Sequence, residues 1–88
     1  MKTPLTCEAV ARAGLGESLG HAAAELLWRC PNHQDEHPSL SVNPKNNVWM
    51  CGPCGVSGTA WSLAAFLAGC DPGDKAAVKA WLRDHGLG

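Results

Sequence analysis

Two short clusters, Cys30-Pro31-Asn32-His33 and Cys51-Gly52-Pro53-Cys54, constrain this chain more than anything else in it. Each sets two metal-ligating side chains three positions apart, and seventeen residues lie between the clusters. A two-residue spacer lets a tight turn aim both side chains at one point, and Pro31, Pro53 and Gly55 supply turn chemistry beside them. Three thiolates and one imidazole suit tetrahedral zinc, with bonds of about 2.3 Å to sulfur and about 2.0 Å to nitrogen. Such a shell has no open position for water, so the expected ion is structural. A chain of 88 residues buries too little apolar surface to be comfortably stable without a staple. Zinc in small peptides contributes about 10–16 kcal/mol of apparent folding free energy. Without metal the chain is expected to be largely unfolded.

Other uses of these residues predict other patterns. A redox Cys-x-x-Cys pair would stand at a helix start after a strand and would leave Cys30 and His33 unexplained. Iron–sulfur ligation uses similar residues but seldom a histidine. Cys7 and Cys70 fall outside the pattern and read as small, buried, apolar side chains. His21 and His37 are rival donors, but only His33 stands from Cys30 as Cys54 stands from Cys51.

Charge limits what the surface can grip. The net charge is −1, and the seven basic residues are scattered from Lys2 to Arg83, whereas domains that hold nucleic acid by electrostatics alone are strongly basic. Any such contact must therefore be local. No polybasic run suggests a membrane surface, no signal-peptide pattern opens the sequence, and no apolar stretch is long enough to span a bilayer. The expectation is a cytoplasmic protein without a membrane partner, in a compartment where a Cys-x-x-Cys pair reads as a metal site before it reads as a disulfide.

Patterning along the chain predicts an α+β domain over residues 1–88, with a ligand core at about 30–54 and closing helices at about 58–86. Thr3 to Gly14 has a cap, a first-turn proline, helix formers and a terminating glycine, which predicts a short helix. Glu25 to Cys30 reads as a strand delivering the first ligand, although Ala22–Leu27 alone would pass for helix. Ser39–Val42 and Val48–Cys51 are strands of a hairpin turned through Asn43–Asn47. Together these make a three-stranded antiparallel sheet. Ser57 or Thr59 caps a helix running to about Leu67, with Ala60, Leu63, Ala64 and Leu67 in one stripe and Trp61 and Phe66 off it. Asp71-Pro72 starts a last helix, with Ala77, Val78, Trp81 and Leu82 on its inner face and Gly86 at its end.

From Cys30 onward, Cys-Pro-Asn-His-x-x-x-x-Pro-Ser-Leu-x-Val-x-Pro followed by Cys-x-x-Cys-Gly-x-x-Gly resembles the N-terminal zinc-binding domain of bacterial and phage DNA primases. The resemblance implies a zinc ribbon, an antiparallel sheet flanked by short helices, with ligands at Cys30, His33, Cys51 and Cys54. It also implies a module that contacts single-stranded template across its sheet for primer initiation, while a separate catalytic domain makes RNA. Residues suited to holding catalytic magnesium are not apparent, so the domain is not expected to polymerise nucleotides itself. Two departures stand out. Asp35-Glu36 occupies a stretch where many members of that family are basic, and Thr59 replaces a usual acidic residue.

Aromatic faces stack on unpaired bases while nearby cations track phosphates, each stacked base being worth about 1–3 kcal/mol. Trp28, Arg29, Lys45 and Trp49 are the candidate DNA contacts on that ground. Asn43, Asn46 and Asn47 suit turns better than base edges, and Lys75, Lys79 and Arg83 recur at four-residue intervals on the last helix. The rival reading is a protein-interaction module that docks on a helicase or on a primase catalytic domain without touching DNA.

Overall fold

A computed structural model describes residues 5–31 and 38–87. Helix α1 (Cys7–Leu15) is followed by five short strands, β1 (Gly20–Ala22), β2 (Glu25–Trp28), β3 (Leu40–Asn43), β4 (Val48–Cys51) and β5 (Val56–Gly58), and then by helices α2 (Ala60–Ala68) and α3 (Lys75–Asp84). The strands pair in sequence order, each antiparallel to the next. The sheet thus has five strands where the sequence predicts three.

The two outer strands escape sequence reasoning for identifiable reasons. β1 and β2 are joined through Ala23 and Ala24, and Ala23 has a φ of 55°, a left-handed conformation in which glycine or asparagine is the usual signal. An Ala-Ala turn inside an alanine-rich run reads as helix instead. β5 is only three residues long and ends against the N-cap of α2, so its residues read as a lead-in to that helix.

Period-two alternation sorts the sheet into two faces. Trp28, Leu40, Cys51 and Val56 are register partners in one row, and Leu26, Val42, Trp49 and Gly58 in another; Trp28, Leu40, Val42, Trp49 and Cys51 are all buried. This face meets α1 and α2, which pack on each other, while α3 packs on α2. The remaining row, Leu27, Ser41, Met50 and Ser57, belongs to the opposite face, where Met50 and Val48 are exposed.

Cap chemistry fixes where the helices start and stop. Thr6, not Thr3, caps α1, its Oγ1 accepting from the Ala9 N–H at 3.1 Å. The helix runs past Gly14 to Leu15. A Cβ at Gly14 would come within 2.8 Å of Leu67 Cδ1 and 2.9 Å of the Trp81 ring, so this glycine serves the close approach of three helices and does not end one. Asp74, not Asp71, caps α3 by accepting from the Ala77 N–H at 3.2 Å; Asp71 instead takes the Gly73 N–H within the preceding turn. Helix α2 ends at Ala68, one residue past the expected end near Leu67, and Gly69 closes it in the left-handed region with φ 74°.

Side chains with one polar atom bind the layers together. Trp28 lies under α1 and its indole N–H donates to the Gly16 carbonyl at 2.9 Å. Trp49 packs on Phe66 with ring centroids 5.0 Å apart, and its N–H donates to Ser62 Oγ at 3.0 Å. Ser62 Oγ also accepts from the Thr59 N–H at 3.0 Å and donates to the Thr59 carbonyl at 2.9 Å. That hydroxyl has both acceptor positions and its proton engaged.

Holding a Cβ at the Ala23 backbone geometry costs about 1–2 kcal/mol, offset in part by the entropy a glycine would lose. Ala23→Gly is therefore expected to stabilise the zinc-loaded domain by about 0.5–1 kcal/mol, read from the urea midpoint; a lower midpoint would contradict the turn geometry.

Candidate metal centre

Three cysteines from distant parts of the sequence converge at one end of the sheet. Cys30 follows β2 directly after Arg29, Cys51 is the last residue of β4, and Cys54 lies in the turn between β4 and β5. That turn is tight because the Gly55 N–H reaches back to the carbonyls of Cys51 and Gly52, each at 3.0 Å, with Gly55 at φ 67°. A side chain there would be strained, which accounts for glycine directly after the second knuckle.

The sulfurs of Cys30, Cys51 and Cys54 all lie within 4.8 Å of one another, and those of Cys30 and Cys54 are 3.4 Å apart. This exceeds the S–S bond length of about 2.05 Å. It brackets, with the 4.8 Å limit, the separation of about 3.8 Å that follows from tetrahedral geometry at about 2.3 Å per zinc–sulfur bond. Cys30 and Cys51 are buried and Cys54 is half-buried. Three soft donors, largely shielded from water and spaced for a tetrahedron, fit one zinc ion. Ser39 Oγ stands 3.7 Å from the Cys51 sulfur, where a hydroxyl can donate to a ligating thiolate and fix its orientation. In the sequence Ser39 stands out only as part of the Pro-Ser-Leu motif, with nothing to tie it to the metal.

His33, the expected fourth ligand, lies outside the described residues, as do Asp35, Glu36 and His37. Cys7 and Cys70 are not part of the cluster. Cys7 is fully buried at the start of α1, where its thiol faces the Asn47 carbonyl at 3.4 Å and burial pushes its pKa up. An unreactive, apolar role follows. Asn47 has a φ of 56° and its side-chain oxygen accepts from the Cys7 N–H at 2.8 Å, while Asn43 Oδ1 accepts from the Asn46 N–H at 3.1 Å. The turn role of these asparagines agrees with their type.

The candidate DNA contacts divide. Arg29 and Lys45 are exposed, as a phosphate contact requires. Trp28 and Trp49 are only 1% and 3% exposed, and their rings are spent on the core. The expectation that they stack on bases is therefore corrected: with a sheet this small, the inward-facing large aromatics are what close its core. The open face offers instead a concavity of about 330 Å³ along β3, β4 and β5, lined by Ser41, Asn43, Val48, Met50 and Ser57 with Glu25 from β2. In the sequence, alternation within β4 sets Met50 on the face opposite Trp49 without deciding which of the two faces is open.

A five-stranded antiparallel sheet with three helices and a cysteine cluster at its end defines a small zinc-ribbon domain. The model of the CHC2 zinc finger family matches residues 17–81, and the chain belongs to that family. Among solved structures, the fold is similar to a crystal structure of the Aquifex aeolicus primase comprising zinc-binding and RNA polymerase domains. The TM-score is 0.58 at 24% identity, over 76% of this chain and 16% of that one. This chain thus spans about a sixth of the length of the primase it matches. No curated protein matches it.

Purified protein is expected to hold one zinc per chain, and Cys54→Ser to lose both the ion and the cooperative thermal transition, read by metal analysis and circular dichroism. Ser39→Ala should keep the fold but bind zinc about tenfold more weakly in a chelator competition. Full zinc content in Cys54→Ser would exclude the cluster as the site.

Proposed function

We propose that this domain is the template-recognition module of a DNA primase, meeting single-stranded DNA during primer initiation and leaving RNA synthesis to a separate catalytic domain. Membership of the CHC2 zinc finger family is the observation that carries this reading. His33 completes the zinc shell with Cys30, Cys51 and Cys54, making the ion a structural clamp without an open coordination position.

Zinc holds the open sheet face in shape, and that face meets the strand. Ser41, Ser57 and Asn43 supply hydrogen-bond donors and acceptors beside the apolar Val48 and Met50. Arg29 and Lys45, both exposed, supply phosphate contacts at the end of β2 and in the β3–β4 turn. With both indoles buried, affinity comes from these polar and charged contacts and not from aromatic stacking, so binding is weak and strongly salt-dependent. A second reading, docking on a catalytic domain or a replicative helicase, is favoured by the exposed Val48 and Met50 and by Glu25 on the same face. A few apolar side chains inside a polar rim are the pattern of a protein contact.

Titration of the zinc-loaded domain with short single-stranded oligonucleotides separates the two. Template recognition predicts binding that weakens as salt rises. In Arg29→Gln/Lys45→Gln the slope of log K against log salt should fall by about 1.4, since each single-strand phosphate left without its cation accounts for about 0.7. An absence of binding even at low salt would reject template recognition in favour of docking.

A further inference from the structure

Helix α3 carries a charge pattern that neither zinc ligation nor the open sheet face uses. Lys75, Lys79 and Arg83 are all exposed, and their four-residue spacing sets them in one row, each about 6 Å of helix rise from the next. Like charges at that spacing repel one another. Lys75 also occupies the first helical position, where the helix dipole disfavours a cation.

Among the described residues none of the three forms an ion pair. The ion pairs there are those of Arg12 with Glu8 and Glu17, on and just after the first helix. Asp74 is engaged as the cap of α3, and Asp84 is exposed beyond Arg83. In a chain with seven basic residues, three are thus aligned on one helix, and of these only Arg83, in the last turn, is favoured by the helix dipole. Between Lys79 and Arg83 opens a concavity of about 530 Å³, lined among the described residues also by Ala76 and Leu82. A row of cations beside an open groove complements an extended polyanion, and its rise matches the order of the spacing between successive phosphates along a stretched single strand. Because α3 packs on α2, the row forms a surface separate from the open sheet face.

We propose that Lys75, Lys79 and Arg83 bind consecutive phosphates of single-stranded nucleic acid, as a second contact for the strand that the sheet face meets. The inference rests on the template-recognition reading and deepens it. The row contributes no base selectivity: it holds the flanking strand and lengthens the binding site.

The test is fluorescence anisotropy of labelled short and long single-stranded oligonucleotides across a salt series, using the zinc-loaded domain. Removing three cations at about 0.7 each predicts that Lys75→Gln/Lys79→Gln/Arg83→Gln lowers the slope of log K against log salt by about 2 for long oligonucleotides. The decrease should be the same for every base sequence and smaller for short oligonucleotides, with zinc content unchanged. Lys79→Gln alone should lower the slope by about 0.7, which keeps the proposal testable if the triple variant folds poorly. Wild-type slopes in both variants would overturn it. If the α3 variants lose slope while Arg29→Gln/Lys45→Gln binds as wild type, the row stands and the sheet-face contact falls. Wild-type protein that binds no oligonucleotide of either length would sink both.

Discussion

The convergence of three sulfurs at one end of the sheet is the constraint from which the other features follow. Cys30 lies just past β2 and Cys51 ends β4, and the two strands are linked through the register Trp28 to Leu40 to Cys51. A metal held by both therefore fixes not only two chain segments but the pairing of three strands. Slipping β4 by one residue would turn Cys51 to the open face and bring Met50 inward, so ligation and burial select the same register. Cys54, delivered by the turn after β4, then fixes where β5 begins.

Once that register is set, the inner face presents two tryptophans, and the helices are arranged around them. Each indole satisfies its N–H in the layer above: Trp28 with the carbonyl that ends α1, Trp49 with the hydroxyl at the start of α2. A buried, unsatisfied N–H would cost on the order of 1–3 kcal/mol, so these bonds specify how far along the sheet each helix sits. Asn47 does the same at the other end of α1, taking the Cys7 N–H from within the β3–β4 turn. Helix placement is thus dictated by single polar atoms set in an apolar interface.

Local patterns in the sequence carry much of this architecture. The knuckle spacing locates the cysteine cluster, and alternation locates β3 and β4, because neither pattern needs a distant partner to be recognised. What the sequence conceals depends on long-range contacts. β1 is masked by an alanine turn whose left-handed residue carries no sequence signal, and β5 by its shortness. Whether Trp49 faces in or out is undecided by alternation alone, since Val48 and Met50 are apolar too; the deciding partners, Ser62 and Phe66, lie on a different element. Gly14 looks like a helix stop because the approach of Leu67 and Trp81 is visible only in the folded molecule.

The saturated hydroxyl of Ser62 has one more consequence. It fills the space where a Cβ on Gly58 would stand, and it answers the indole of Trp49. Trp49, Gly58 and Ser62 therefore form one steric and polar unit: a larger residue in place of Gly58 displaces the serine, and a residue without a hydroxyl in place of Ser62 strands the tryptophan. Substitutions at any one of the three should be tolerated in relatives only in company with compensating changes at the others, so the joint between sheet and helix drifts as a block while the open face varies residue by residue.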